Sequence, residues 1–204
     1  MDFRSALDQI AAVREGVARA NTFRGYRAAT TLMSSVLALA ASAVCSGLLH
    51  YGVYYVEPYL AVWIAAAAVS MTLCGFEMAY RVAGSPLQRD LTLAAVERFL
   101  PSLAAGGLLT LVIYRFCPEE LWMLPGLWMM FFGLGIHASR RLLPRYSEII
   151  AAFYLLCGLI VLSMRETDML NPWPMGIVFG LGQLAAAGVL WQTERFESGA
   201  CDEE

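Results

Sequence analysis

Six long apolar segments, separated by short polar stretches, dominate this 204-residue chain. A helix that crosses a bilayer needs about 20 mostly apolar residues, with roughly 17 as the lower limit. All six segments reach that limit, although the third, fourth and fifth lie close to it. They cover residues 28–50, 58–80, 99–116, 121–138, 147–164 and 173–192. The pattern therefore predicts an all-α, polytopic membrane helix bundle with about six transmembrane helices.

The composition excludes a water-soluble domain. Hydrophobic residues make up 59% of the chain and charged residues only 15%, whereas soluble domains carry roughly 45–50% apolar and about 25% charged residues. Six buried helices in so short a chain would leave too little polar surface to cover them. We therefore expect the lipid bilayer to be the first partner of this protein.

The positions of arginine predict how the chain is oriented. Lysine is absent, and with the N-terminus inside, twelve of the 14 basic residues fall in cytoplasmic segments. Only Arg115 and Arg165 fall outside, and loops that carry an excess of arginine stay in the cytoplasm. We predict a multi-pass protein of a bacterial inner (cytoplasmic) membrane with both termini in the cytoplasm.

Two cytoplasmic segments have the apolar spacing of amphipathic helices. Residues 1–27 form a predicted amphipathic helix and linker, on which Phe3, Leu7 and Ile10 recur at helical spacing. In the second segment, Ser85-Pro86 predicts a helix start, and Pro101 predicts the bend where that helix turns into the third span. Residues 193–204 form an acidic cytoplasmic tail. Each amphipathic segment suits either the membrane interface or a protein partner.

No pattern in the chain predicts a catalytic, metal or cofactor site. The motifs HExxH, GxSxG, GxGxxG and the P-loop are all absent. The two histidines, His50 and His137, are predicted on opposite sides of the membrane and cannot share one metal. The net charge of −3 gives no electrostatic basis for binding nucleic acid. We expect no cofactor, and the weight of these patterns is against an enzyme.

A few polar residues near or within the spans are candidate ligand positions. Gln183 stands near the middle of the sixth span, where it is expected to bond a hydroxyl of another helix or, alternatively, a polar ligand. The other candidates share a predicted depth at the cytoplasmic face, where their convergence would favour an enzyme. They are Glu77, Arg81, His137 and Arg140.

Glycines in the sixth span predict close helix packing. Gly176 and Gly180 form a GxxxG pattern, which lets two helices approach closely where lipid offers no hydrophobic gain. The pattern is weak, and it fits packing inside the bundle as well as a homo-oligomer.

Several short motifs resemble those of a family. They include Arg14-Glu15-Gly16-Val17-Ala18-Arg19, Leu124-Pro125-Gly126-Leu127-Trp128 and Arg140-Arg141-Leu142-Leu143-Pro144. In this order they resemble a group of uncharacterised bacterial inner-membrane proteins of about this length, found with genes for winged-helix regulators. The resemblance implies six spans and supplies no catalytic residue.

These observations leave three functional hypotheses in order of preference. The first is a non-enzymatic integral membrane protein that acts through interaction, as a subunit, anchor or sensor, with its amphipathic segments as docking surfaces for a cytosolic or membrane protein. The second is a component of small-molecule transport, suggested by Gln183 and the hydroxyl-rich first span. The third is an intramembrane enzyme with a polar cluster at the inner face.

Overall fold

The computed structural model describes residues 28–53, 55–82, 86–143, 146–164 and 171–201, without the side chains of 81–82, 86–88 and 193–201. Within these ranges the chain forms six α-helices, one 3-10 helix and no strand. The helices are α1 (Ala28–His50), α2 (Val56–Val82), α3 (Pro86–Phe116), the 3-10 helix (Pro118–Met123), α4 (Leu124–Ser139), α5 (Ser147–Met164) and α6 (Trp173–Cys201).

All six α-helices are long and apolar enough to cross a membrane, if the 3-10 helix is counted into the fourth span. The predicted all-α fold with six candidate transmembrane helices is therefore confirmed. The amphipathic helix predicted in residues 1–27 lies outside the described residues.

The third helix begins at Pro86, as predicted, and runs without a break to Phe116. The predicted cytoplasmic helix and the third span are thus one continuous helix that contains Pro101, and the bend at Pro101 stays a prediction. Proline removes one backbone hydrogen bond and crowds the preceding turn. A long apolar helix tolerates this where neighbouring helices support the chain. The sixth helix also extends further than predicted, to Cys201.

The six helices form a ring in which each lies beside its neighbours in sequence, and α6 closes the ring against α1. The most extensive interfaces are α4 with α5 and α1 with α6. The smallest contact in the ring joins α2 to α3, and α6 also touches α4 across the bundle. The ring is therefore packed unevenly, with its weakest contact along the edge formed by α2 and α3 and another small contact between α5 and α6.

Small residues bring α1 and α6 close together. The buried face of α1 consists of Thr31, Ser34, Ser35, Ala38, Ala41, Ser42 and Cys45. Ser35 Oγ donates to the Gly180 carbonyl at 2.7 Å and Ser42 Oγ to the Pro172 carbonyl at 3.1 Å. A β-carbon on Gly176 would overlap Ser42 Oγ. The GxxxG face of α6 thus packs against α1, and serine hydroxyls bond directly to its backbone.

Glycines also set the distance between α4 and α5. A β-carbon on Gly126 would lie 2.9 Å from the Gly158 carbonyl oxygen, and one on Gly158 would lie 2.7 Å from the Gly126 carbonyl oxygen. About two turns further along, a β-carbon on Gly133 would lie 2.9 Å from the Ala151 carbonyl oxygen. The two backbones are in direct contact, and larger side chains cannot fit between them.

Aromatic rings fill the space between helices α3 to α6. Phe132 of α4 is central: its ring centroid lies 5.5 Å from that of Phe99, 4.9 Å from that of Tyr154 and 5.4 Å from that of Phe179. Each of these rings comes from a different helix. Tyr154 is 0% exposed. Tilted and edge-to-face pairs of this kind add to the packing energy of a core.

We predict that Gly158→Leu destabilises the bundle, whereas Gly107→Leu does not. Gly158 contacts the α4 backbone, while a β-carbon on Gly107 meets no atom within 4 Å. Overpacking a tight site costs roughly 1–3 kcal/mol. Thermal unfolding of both variants in the same detergent checks the difference. Equal unfolding temperatures for the two variants would contradict the close approach of α4 and α5.

Candidate functional site

Four basic side chains surround an open cavity at one end of the bundle. The cavity has a volume of about 340 Å³, and its lining residues are Arg98, His137, Ala138, Arg140 and Arg141. Arg98 belongs to α3, and the others lie at or just beyond the end of α4. We call this the basic end of the bundle.

Tight packing between α3 and α4 places these side chains together. Ser139 Oγ is buried and donates to the Ala95 carbonyl at 3.0 Å. A β-carbon on Gly135 would lie 2.6 Å from the Phe99 ring, so that α4 approaches α3 closely at the residue that follows Arg98. The last turn of α4 also carries the negative end of the helix dipole, which favours cations such as His137 and Arg140.

The cluster carries more positive than negative charge. Arg140 Nη1 lies 2.9 Å from Glu148 Oε1, with the two side chains 43% and 54% exposed. An exposed pair of this kind contributes little stability, about 0–1 kcal/mol. Arg98 and Arg141 have no ion pair among the side chains that the structure describes. Their guanidinium groups remain available to an anion from outside the bundle.

The position of Arg98 along α3 places the cavity near one boundary of a bilayer. Arg115 follows Arg98 by 17 residues on the same helix. At 1.5 Å per residue this separates them by about 26 Å along the axis, close to the roughly 30 Å thickness of a hydrocarbon core. A bilayer that covers the apolar part of α3 therefore has Arg98 at one surface and Arg115 at the other.

The structure brings together two of the four polar residues that were predicted to share one depth. His137 and Arg140 line the cavity. Glu77 lies at the same end but on the α1–α2 side, where it accepts a hydrogen bond from Thr30 Oγ1. Arg81 lies in the last turn of α2, and its side chain is outside the described set.

The sequence alone does not mark Arg98 and Arg141 as members of the site. In the sequence they contribute only to the arginine distribution that predicts the orientation of the chain. Each lies at the end of an apolar segment on the same predicted side of the membrane, and that shared depth was the available signal. Depth alone does not show which helices lie side by side in the ring.

Gln183 lies beside the ring of Tyr154, between α5 and α6. The Tyr154 ring crosses α6 at Gly182, where a β-carbon would overlap it. Its hydroxyl donates to the Phe179 carbonyl at 3.4 Å.

The hydroxyls of α1 instead bond to other groups. Ser34 Oγ lies 2.6 Å from Ser70 Oγ of α2, and Ser35 and Ser42 bond to the backbone of α6. The polar residues of the first span therefore connect helices within the bundle.

Metal binding has no support in the part of the chain that the structure describes. It contains no group of three or more histidine, cysteine, aspartate or glutamate side chains that could hold an ion. His50, in the last turn of α1, packs edge-on against Tyr51, with ring centroids 5.5 Å apart.

Comparison with known proteins adds no further site. The sequence matches no protein-family model and no curated protein, and the fold matches no solved structure. The resemblance to a group of six-span bacterial proteins therefore stays a prediction.

We predict that Tyr154 and Gln183 are energetically coupled. The Tyr154 ring packs against Gly182, next to Gln183, and we expect the Gln183 amide to donate to the Tyr154 hydroxyl. Tyr154→Phe then leaves this amide without its partner, whereas Gln183→Leu removes the need for one. The loss in the double variant should therefore be smaller than the sum of the single losses by about 0.6–1.7 kcal/mol, the range for such bonds in membranes. A double-mutant cycle of unfolding free energies in detergent checks this. Additive losses would show that the two side chains act independently.

Proposed function

We propose that this chain is a non-catalytic, multi-pass protein of a bacterial inner membrane that acts through interaction, as a subunit or anchor. In this proposal both termini are cytoplasmic, and helix α2 packs against an apolar helix of another chain. The observation that carries the proposal is the outward face of α2.

That outward face is a stripe of small residues. It runs the length of the span at alternating spacings of four and three, and every member is exposed: Ala61, Ala65, Ala68, Thr72, Gly75 and Ala79. Thr72 Oγ1 donates to the Ala68 carbonyl at 2.7 Å within the helix, so its hydroxyl needs no water. The 4–3 spacing keeps small residues aligned along two helices that cross at a small angle.

The opposite face of α2 is the one that packs inside the bundle. Tyr59, Trp63 and Cys74 are buried there, and Ser70 contacts Ser34 of α1. A helix face that contacts only lipid gains nothing from small residues, since lipid chains pack against large and small side chains alike. Large exposed side chains, among them Ile64, Met71 and Phe76, flank the stripe on α2.

Two other small-residue faces of this chain are covered by a neighbouring helix. The stripe on α1 packs against Gly176 and Gly180 of α6, and Gly126 packs against Gly158. By contrast, a β-carbon on Gly75 meets no atom within 4 Å. The same packing chemistry is thus present on α2 without a helix against it, which supports a partner in the membrane.

The arginine distribution supports the proposed orientation. The basic end gathers Arg98, Arg140 and Arg141, and such an excess marks the cytoplasmic side. The predicted amphipathic segment 1–27 would then lie on that side, where it remains a proposed second docking surface.

Transport and catalysis have less support than interaction. The rings of Phe132, Tyr154 and Phe179 occupy the middle of the bundle, where a transport pathway would need a cavity. Besides the cavity at the basic end, the described residues enclose a pocket of about 10 Å³, beside Cys45 and Tyr59. Gln183, the candidate ligand position, lies beside the buried ring of Tyr154.

We predict that Gly75→Leu dissociates the complex formed by this protein, because a bulky side chain separates α2 from its partner. The protein extracted from its own membranes in mild detergent should migrate well above the 22.4 kDa of one chain, and the variant should not. Size-exclusion chromatography with light scattering gives the mass, which also distinguishes a second copy from a different protein.

The matched control is Gly107→Leu, since Gly107 is likewise exposed with open space around it. This variant should keep the mass of the wild-type complex. A wild-type protein that elutes as a single chain, or equal masses for the two variants, would refute the proposed contact on α2.

A further inference from the structure

We propose that the cavity at the basic end binds the phosphate of an anionic phospholipid. This inference is independent of the partner helix proposed for α2. It rests on the charge around the cavity, on its shape and on its depth.

The charge favours a phosphate. Guanidinium groups present planar, paired donors that match phosphate oxygens. Of the cations that line the cavity, only Arg140 has an acidic neighbour in the described set, Glu148. Arg98 reaches the cavity from α3 and Arg141 from the turn that follows α4, and an anion between them relieves their mutual repulsion. The nearby Glu97 is exposed and is not among the lining residues.

The size of the cavity suits a headgroup. Its volume of about 340 Å³ lies at the lower end of the roughly 300–1,000 Å³ found for small-ligand sites. The cavity is open at the surface, so a lipid can enter from the side without any rearrangement of the helices.

The depth of the cavity favours a lipid over a soluble anion. Arg98 lies where the hydrocarbon region would end, and Leu134, one turn before His137, is 43% exposed. A phosphate held by Arg98 and Arg141 therefore has apolar surface beside it on which acyl chains can lie. Basic pockets between helices at the cytoplasmic surface are a known way of binding acidic headgroups. Inorganic phosphate shares the charge but would gain nothing from this apolar surface.

The test is a titration of the full-length protein with phosphatidylglycerol in uncharged detergent, with thermal stability as the readout. The wild-type protein should gain stability with phosphatidylglycerol and not with phosphatidylcholine. Each of the variants Arg98→Gln and Arg141→Gln should weaken the apparent affinity for phosphatidylglycerol about fivefold, the equivalent of about 1 kcal/mol per arginine.

Arg115→Gln is the matched control, because it removes one arginine from the opposite end of the same helix. Its affinity for phosphatidylglycerol should equal that of the wild-type protein. All variants should unfold at the wild-type temperature in phosphatidylcholine, which shows that the fold is intact. If Arg98→Gln and Arg115→Gln weaken binding equally, or if the wild-type protein gains no stability from phosphatidylglycerol, the proposal is wrong.

A second titration with inorganic phosphate separates the two sources of the anion. We expect no stabilisation at concentrations where phosphatidylglycerol saturates. If inorganic phosphate reproduces the full shift, and Arg98→Gln abolishes it, the site holds a soluble anion and the assignment to a lipid fails.

Discussion

Direct contact between helix backbones is the interaction on which this structure depends. A bilayer core offers no water to drive apolar helices together, so association relies on close packing and on polar contacts between helices. Both appear at the two largest interfaces. Gly126 and Gly158 bring α4 against α5, and Ser35 and Ser42 donate to carbonyl groups of α6. Small residues therefore stabilise this bundle, as large apolar side chains stabilise the core of a soluble protein.

The same principle explains why the bundle is uneven. Helix α6 contacts α1, α4 and α5 and so joins the two ends of the chain, whereas α2 and α3 meet along a small contact. The apolar spans of α2 and α3 are also the least buried of the six. Both outer surfaces present large apolar side chains, and the outer surface of α2 also carries a small-residue stripe along its whole span. That difference is what connects the fold to a proposed role in association.

The sequence was sufficient to predict six helices because the apolar segments are long and separated by charged residues. Pro86 is the predicted start of α3, but the sequence does not show that the helix continues through Pro101 into the third span, since proline often ends or bends a helix. The ring order was not predictable, since apolar spacing marks the buried face of a helix but not the helix that covers it. For this reason the reciprocal contact of Gly126 with Gly158, the position of Tyr154 beside Gln183 and the cavity shared by Arg98 and Arg141 all required the structure.

The most direct test of the proposed crossing and orientation is to determine on which side of the membrane each native cysteine lies. Cys117 follows α3 and is partly exposed, and Cys201 ends α6, so the two should lie on opposite sides. A membrane-impermeant maleimide applied to intact spheroplasts should label Cys201→Ser protein through Cys117. Cys117→Ser protein should be labelled only after lysis. Labelling of both variants before lysis, or the reverse pattern, would contradict the proposed crossing and orientation.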